Sequence, residues 1–275
     1  MKKIIIFILI LVSSVFLVGC GEESNDGVVV SVVGSTSVAP LAEYEAENFL
    51  RINKDIEIAV QSVGSSAGIK SAIDGTAEIG MSSRNLKEEE KEGLKEFVVA
   101  LDGIAVVVHP TNKIKNITKD QLLAIFQGKI RNWKEIGGKD APIVVISREE
   151  GSGTRGAFEE MSGLEIEKND KKYTTLYSRA IITDGNGSVK QNVALKENGI
   201  GYISVGSVDD SVKEIAIDGI LPTDDNIKSG KYLISRPFIM LTKGEPSPEA
   251  QIFLDYILSD EGQQIVKEHF YITVN

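Results

Sequence analysis

The chain has 275 residues, of which 42% are hydrophobic and 25% charged, and its formal net charge is −10 at pH 7. This length suits one large domain or two smaller ones, and the composition is that of an ordinary globular protein. The acidic excess argues against a nucleic-acid-binding protein, which would present a basic face. The single cysteine excludes an internal disulfide and a cysteine-based metal site.

The first residues have the pattern of a bacterial secretory signal. A short basic start precedes an apolar run from Ile4 to Val18, which is shorter than the roughly 20 residues that span a bilayer. The following Leu17-Val18-Gly19-Cys20 resembles a lipobox. We therefore predict a signal peptide over residues 1–19, a lipid such as palmitate on Cys20, and a polar tether over residues 20–26. The alternative is an ordinary signal peptide with an incidental cysteine.

Signal removal makes the mature chain more acidic. Loss of Lys2 and Lys3 leaves 28 basic against 40 acidic residues. An anionic ligand would therefore have to be held by local dipoles and hydrogen bonds, because the overall field repels it.

Apolar runs alternate with Gly/Ser loops and helical segments along the rest of the chain. Strands are predicted at 27–33, 55–63, 77–80, 97–108, 142–146, 177–183, 199–205 and 233–241. Helices are predicted after the loops at 34–40 and 64–68, over 87–95, 122–126 and 189–196, from 157 and 259 onward, and from 248 to 256. Repetition of strand, loop and helix implies an α/β protein with parallel sheets, in which ligands bind at the carboxyl ends of the strands.

Three loops at predicted helix starts share the same chemistry. They are Gly34-Ser35-Thr36-Ser37, Gly64-Ser65-Ser66 and the segment from Ser147 to Gly156, with weaker relatives at Gly80 and Gly187. Glycines let backbone N–H groups approach a ligand, and helix N-termini attract anions. Arg148 adds a planar fork of donors that matches a tetrahedral oxyanion. The alternative interpretation is a set of exposed turns with N-capping hydroxyls.

The loop from Ser147 to Gly156 differs from the common catalytic loops. It lacks the G-K-[ST] ending of a phosphate-binding P-loop, and G-S-G-T is not the G-x-S-x-G of a nucleophile elbow. The sequence offers neither a metal cluster nor a nucleophile–base pair, so we predict that the protein is not an enzyme and needs no cofactor or metal.

Several segments resemble the phosphate-binding lipoproteins of bacterial phosphate ABC transporters. They are 34–40, 64–70, 74–84, 102–106, 122–138 and 147–156. The resemblance implies a two-lobe periplasmic-binding-protein architecture of type II, hinged by two crossing strands. With the crossings placed by sequence, lobe 1 comprises residues 27–108 and 237–275, and lobe 2 comprises residues 109–236.

The resemblance also implies which residues bind phosphate. The implied phosphate-binding residues are Thr36, Ser37, Ser65, Ser83, Arg148, Ser152, Gly153 and Thr154. Glu150 matches an acidic position beside the arginine, where it would orient Arg148 and limit the positive charge. Asp102 is expected to brace a hinge strand, with contact to the ligand as the alternative. Many members carry Asp where this chain has Ser83, which leaves open what accepts the phosphate proton.

The function that follows is extracytoplasmic binding of inorganic phosphate and its delivery to the permease subunits of an ABC transporter. We expect a monomer, attached to the membrane through Cys20 and without affinity for nucleic acid. The alternatives are a receptor for another tetrahedral oxyanion such as sulfate, a phosphate-ester hydrolase, and a surface protein with a signalling or adhesive role.

Overall fold

A computed structural model of the protein describes residues 27–169 and 171–275. The predicted signal peptide, Cys20 and the tether lie outside the described residues. The helices are α1 (Ala39–Ile52), α2 (Ser65–Asp74), α3 (Lys119–Phe126), α4 (Gly153–Ser162), α5 (Gly185–Leu195), α6 (Asp224–Lys228), α7 (Pro248–Leu258) and α8 (Asp260–Glu268). The strands are β1 (Val28–Gly34), β2 (Ile56–Ser62), β3 (Ile79–Ser82), β4 (Leu94–Val108), β5 (Asn116–Ile117), β6 (Val144–Arg148), β7 (Glu165–Lys168), β8 (Lys171–Thr174), β9 (Ile181–Thr183), β10 (Gly199–Ser204), β11 (Lys213–Glu214), β12 (Ala216–Ile217) and β13 (Ser235–Lys243).

One continuous strand order runs through both lobes, namely β2-β1-β3-β13-β4-β10-β6-β9. Strands β2, β1 and β3 are parallel, and β13 pairs antiparallel with both β3 and β4. On the other side, β10 pairs antiparallel with β4 and parallel with β6, and β6 pairs parallel with β9. The predicted α/β class and two-lobe architecture are confirmed, with β4 and β13 as the long strands between the lobes.

Strand β4 takes part in both halves of the sheet. Its residues up to Gly103 pair with β13, and Ile104–Val108 pair with β10. Val99 and Ala100 pack in the lobe 1 core, whereas Ile104 packs in the lobe 2 core. This pairing favours a passage of the chain from lobe 1 to lobe 2 near Gly103. The division predicted from sequence lies later, between residues 108 and 109. The lobe boundaries stay a prediction.

Helix starts follow the capping signals in the sequence. Thr118 and Gln121 form a reciprocal capping box on α3, and the Ser247 and Ser259 hydroxyls cap α7 and α8. Each cap supplies an acceptor for backbone N–H groups that have no partner within the helix.

Two predicted elements differ from the structure. The helix predicted over 87–95 is wrong: only Glu88–Glu90 form a 3₁₀ turn, and β4 already begins at Leu94. This run has no apolar stripe to anchor a helix, and Gly93 has a positive φ of 73°. The strand predicted over 177–183 is shortened to β9, because Tyr177 and Ala180 close a turn through a backbone hydrogen bond of 2.9 Å.

The sequence did not predict the hairpin of β7 and β8, whose residues are mostly exposed.

No helix within residues 27–169 and 171–275 combines the length and apolar character that a membrane span requires.

The buried face of α1 in lobe 1 carries a carboxyl group. Glu45 is fully buried, and neither of its carboxyl oxygens has a hydrogen-bond partner among the described residues. Burial, and to a smaller extent the nearby charge of Glu261, raises the pKa of Glu45 from 4.5 to about 9. The folded protein therefore holds a neutral carboxylic acid where the unfolded chain, at neutral pH, has a carboxylate.

We expect this group to make stability depend on pH. Because the pKa is raised on folding, its contribution is complete below pH 4.5 and is lost as pH rises toward about 9. Between pH 5 and 8 the free energy of unfolding should fall by about 1.4 kcal/mol for each pH unit from this group alone. Denaturant titrations of wild type, Glu45→Gln and the control Glu43→Gln, which alters an exposed residue of α1, check this. In Glu45→Gln the fall per pH unit should be smaller by this amount than in the other two proteins; an equal slope in all three proteins would contradict the assignment.

Candidate functional site

The three Gly/Ser loops meet where the two lobes face each other. The Ser37 hydroxyl lies 2.8 Å from the Thr154 hydroxyl, and Arg148 Nη2 donates to Thr36 Oγ1 at 2.9 Å. The backbone N–H of Ser66 donates across the cleft to the Gly151 carbonyl at 3.1 Å. The structure thus describes the lobes in a closed arrangement, with polar groups of both lobes in direct contact.

Lobe 1 supplies a cluster of buried serines. Ser83 follows β3, and its hydroxyl accepts a hydrogen bond from Ser35 Oγ at 2.8 Å and lies 3.3 Å from Ser65 Oγ. Ser65 opens α2, and its hydroxyl also accepts from the Ser83 backbone N–H at 3.1 Å. Hydroxyls can donate or accept, so these three side chains can turn their donors toward an oxyanion.

Close packing between β1 and α2 brings these serines together. A Cβ on Gly68 would lie 2.5 Å from Gly34 Cα and 2.6 Å from the Val33 carbonyl oxygen. Only glycine permits this approach of helix to strand. The N-terminus of α2 is therefore held against the end of β1, with its positive end facing the site.

Lobe 2 supplies the cation. Arg148 ends β6 and is buried, and Glu149 accepts from its Nε at 2.8 Å and from its Nη2 at 2.7 Å. Partial burial alone raises the pKa of Glu149, but the hydrogen bonds and the charge of Arg148 outweigh it and lower the pKa overall. At neutral pH the pair carries almost no net charge, so a bound anion would rely largely on N–H and O–H dipoles.

This pairing corrects the predicted role of Glu150. Glu150 is exposed, and the carboxylate that orients Arg148 is Glu149. The chain turns sharply after β6, so the residue next to Arg148 stays in reach of the guanidinium while the following residue points toward solvent. Limitation of positive charge at the site thus falls to Glu149.

The start of α4 lies against lobe 1. Ser152 caps α4 by accepting from the Arg155 backbone N–H at 3.2 Å, so its hydroxyl does serve as an N-cap. Gly153 is so close to lobe 1 that a Cβ there would lie 2.2 Å from Ser65 Oγ. Thr154 is buried and contacts Ser37. The structure therefore brings the predicted residues of this loop to the cleft, and their contact with phosphate stays a prediction.

Two polar residues at the cleft were not predicted. Asn186, in the first turn of α5, accepts from Arg148 Nη1 at 3.0 Å and donates to Ser37 Oγ at 2.9 Å. Ser35 links Ser83 to the residues just before α1, because its hydroxyl also accepts from the Ser37 and Val38 backbone N–H groups. The glycine-flanked sequence at 184–188 was a signal for Asn186, although it did not show which side chain faces the site.

Asp102 lies in β4 and pairs with Arg236 at 2.8 Å. Both side chains are almost completely buried, and the contact favours the expectation that Asp102 braces a hinge strand. Across residues 27–169 and 171–275, no three His, Cys, Asp or Glu side chains come close enough together to hold a metal ion.

A cavity of about 470 Å³ borders the site at the mouth of the cleft. Its walls come from both lobes, with Ser66 and Arg84 on one side and Gly151, Ser152 and Arg155 on the other. Ser152 thus lines this cavity and also caps α4 at the cleft.

The chain is similar in sequence to proteins of known function. Residues 21–261 match the model of a PBP superfamily domain. The chain is 37% identical to the phosphate-binding protein PstS of Bacillus subtilis, over 92% of this chain and 83% of that protein. It is 33% identical to PstS of Borreliella burgdorferi, over 100% of this chain and 99% of that protein.

A solved structure is also similar along most of its length. It is that of a protein from Clostridium perfringens, assigned as a phosphate ABC transporter substrate-binding protein and crystallised with bound phosphate. The sequence identity is 48% and the TM-score 0.85, with 90% of this chain and 100% of that chain covered.

Proposed function

The chain belongs to the PBP superfamily and, within it, to the PstS phosphate-binding proteins, and from this premise we propose that it binds inorganic phosphate outside the cytoplasm and delivers it to an ABC permease. One observation carries the proposal most directly. A buried arginine and the hydroxyls of two lobes converge on one point, where Thr36 contacts Arg148 and Ser37 contacts Thr154. These are donors suited to an oxyanion that both lobes enclose.

The roles of the proposed residues follow from their positions. Thr36, Ser37, Ser65 and Ser83 supply hydroxyl and amide donors from lobe 1, and Arg148, Ser152, Gly153 and Thr154 supply donors from lobe 2. Because the Arg148–Glu149 pair is close to neutral, the empty site carries little net charge. It can still bind a dianion through the hydrogen-bond donors of both lobes. Closure over the anion removes water and strengthens each hydrogen bond.

Calorimetric titration of the mature, ligand-stripped protein with phosphate, sulfate and arsenate tests the proposal. We expect phosphate to bind with one-site stoichiometry and sulfate to bind more weakly. Sulfate binding stronger than phosphate binding would favour the other oxyanion receptor. A turnover assay with a chromogenic phosphate ester should show no hydrolysis, and measurable turnover would support the hydrolase alternative.

Ser83 offers a sharp test of anion selectivity. Phosphate carries a proton near neutral pH whereas sulfate does not, so a carboxylate at this position would accept from phosphate and repel sulfate. Ser83 has an uncharged hydroxyl, which can donate or accept. We therefore expect wild type to bind both H₂PO₄⁻ and HPO₄²⁻, and Ser83→Asp to raise the phosphate-to-sulfate affinity ratio about tenfold or more, mainly by weakening sulfate.

The matched control is Ser83→Asn, which has the shape of aspartate without its charge. It should change the two affinities by similar factors. Titrations about one pH unit below and above the second pKa of phosphate separate charge from shape. If Ser83→Asp leaves both affinities at wild-type values, Ser83 does not face the anion.

We also propose that the receptor is a monomer anchored to the outer face of the membrane through a lipid on Cys20. The proposal rests on the lipobox-like sequence before Cys20 and on the polar residues that follow it. Fractionation of cells that express wild type or Cys20→Ala tests the anchor. Wild type should sediment with membranes, and a variant that is processed and sediments in the same way would contradict the anchor.

A further inference from the structure

A buried ion pair joins the two strands that run between the lobes. Asp102 on β4 and Arg236 on β13 are direct partners in the strand register. Arg236 donates from Nε at 3.0 Å and from Nη2 at 2.8 Å to the same carboxylate oxygen, Asp102 Oδ2. The Asp102 side chain is 1% exposed and the Arg236 side chain 0%, so the pair is shielded from water and screening salt.

From this ion pair, polar contacts continue into lobe 2. Ser204, at the end of β10, donates from Oγ to the other carboxylate oxygen of Asp102 at 2.8 Å. Its backbone N–H donates to Asn186 Oδ1 at the longer distance of 3.4 Å. Asn186 Oδ1 also accepts from Arg148 Nη1 at 3.0 Å. A connected set of buried groups therefore leads from the hinge strands to the guanidinium at the anion site.

We call this set of contacts the hinge relay; its members are Arg236, Asp102, Ser204 and Asn186. Its last member also contacts lobe 1, because Asn186 Nδ2 donates to Ser37 Oγ at 2.9 Å. One amide thus holds the cation of lobe 2 with its oxygen and a hydroxyl of lobe 1 with its nitrogen. Both contacts are possible together only when the lobes are closed.

Burial of the charged groups of the hinge relay costs free energy that stability alone does not explain. Burial raises the pKa of Asp102, and the charge of Arg236 and the Ser204 hydroxyl act against this shift. A buried ion pair of this kind is often no more stabilising than well-packed apolar side chains. Its orientation, however, is well defined, because both carboxylate oxygens have fixed partners. A rigid group of this kind can position a long, flexible side chain such as that of Arg148.

We propose that the hinge relay is a positioning device, which holds Arg148 toward lobe 1 and thereby raises phosphate affinity without contact between the relay and the anion. The inference rests on the proposed phosphate-binding function. An arginine side chain that is fixed before binding loses less conformational entropy when it meets the ligand. The relay also makes that orientation depend on the relative position of β4, β10 and β13, which is the part of the fold that lies between the lobes.

Ser204 is the best point at which to interrupt the relay. Ser204→Ala removes the hydroxyl that contacts Asp102 but leaves every proposed phosphate-binding residue in place. Phosphate affinity should fall about tenfold, mainly through faster dissociation, and Ser204→Thr should restore it because the hydroxyl is retained. The matched control is Ser162→Ala, since Ser162 is a fully buried serine of α4 whose hydroxyl has no partner among the described residues. Its affinity should equal that of wild type.

A double-mutant cycle separates positioning from general stabilisation. Asn186→Ala should weaken phosphate binding at least tenfold by itself, and it leaves the Asp102–Arg236 pair intact, so it tests the relay even if Ser204→Ala does not fold. In the Asn186→Ala background, Ser204→Ala should cost nothing further, because the path to Arg148 is already interrupted. If the two substitutions acted independently through structural effects, their losses of binding free energy would add instead.

The outcomes are distinguishable from failure of the proposed function. If wild type binds no phosphate, both the function and the relay are overturned. If wild type binds phosphate and either Ser204→Ala or Asn186→Ala binds it equally well, only the relay is overturned. Additive losses in the double variant, or no recovery in Ser204→Thr, also overturn it.

Discussion

Replacement of Arg148 by alanine is expected to lower phosphate affinity by at least two orders of magnitude. The guanidinium is fully buried and donates to Thr36, one of the converging hydroxyls. Hydrogen bonds to charged groups contribute about 1.5–3 kcal/mol each. Loss of two such bonds corresponds to two decades of affinity or more, since about 1.4 kcal/mol is one decade.

The loss has a second origin in Glu149. In wild type this carboxylate is balanced by Arg148 through two hydrogen bonds. In Arg148→Ala the negative charge of Glu149 would no longer be balanced, so repulsion of the anion would add to the lost attraction. Arg148→Lys keeps the charge but not the fork, and its affinity should lie between those of wild type and Arg148→Ala.

Calorimetric titration with phosphate measures these effects, and Arg51→Ala is the control. Arg51 also forms an ion pair, with Glu47 at 2.7 Å, but its side chain is 66% exposed and lies on the outer face of α1. Loss of this charge should leave affinity unchanged within about twofold, because exposed charges are screened. Phosphate affinity of Arg148→Ala within a few-fold of wild type would remove Arg148 from the site.

The parts of the site that could be predicted from sequence are those with a local signature. Glycines and hydroxyls at a helix start indicate a place where an anion or a cap can bind, because helix N-termini leave backbone N–H groups unpaired. This is why the loops at Gly34, Gly64 and Gly151 pointed to one anion site. The hydroxyl caps of α3, α7 and α8 follow the same local rule.

The parts that were missed depend on distance across the fold. Asn186 reaches Ser37 from 149 positions away in sequence, and no local pattern reports that contact. Adjacent carboxylates pose a related problem: only the turn after β6 decides that Glu149, and not Glu150, faces Arg148. In the same way, a bracing role is expected for Asp102 from the sequence, but only the pairing of β4 with β13 shows that its partner is Arg236.

Gly153→Ala is the second substitution for which we expect a large effect, because it should prevent closure of the lobes. The added Cβ would lie 2.2 Å from Ser65 Oγ, 2.6 Å from Ser83 Oγ and 2.9 Å from Ser65 Cβ. Rotation of the hydroxyls could relieve the first two contacts at the cost of their hydrogen bonds. Rotation of the side chain cannot relieve the contact with Ser65 Cβ, so the backbones of α2 and α4 would have to separate.

The clash arises only between lobes. Gly153 begins α4 in lobe 2, and the atoms that it would meet belong to lobe 1. Alanine is also a better helix former than glycine. The unliganded variant should therefore be at least as stable as wild type, while its phosphate affinity should fall about a hundredfold or more. Small-angle X-ray scattering should show that phosphate reduces the radius of gyration of wild type but not that of Gly153→Ala.

Gly187→Ala is the matched control, because Gly187 lies in the early part of α5 in lobe 2 and a Cβ there would meet no heavy atom within 4 Å. It should bind phosphate and compact like wild type. A cycle with Ser65→Gly then identifies the obstacle: with both Ser65 Oγ and Cβ gone, Gly153→Ala should cost far less than it does in wild type. Equal costs in both backgrounds would mean that the added methyl acts through a direct loss of anion contact, whereas unequal costs place its effect on closure.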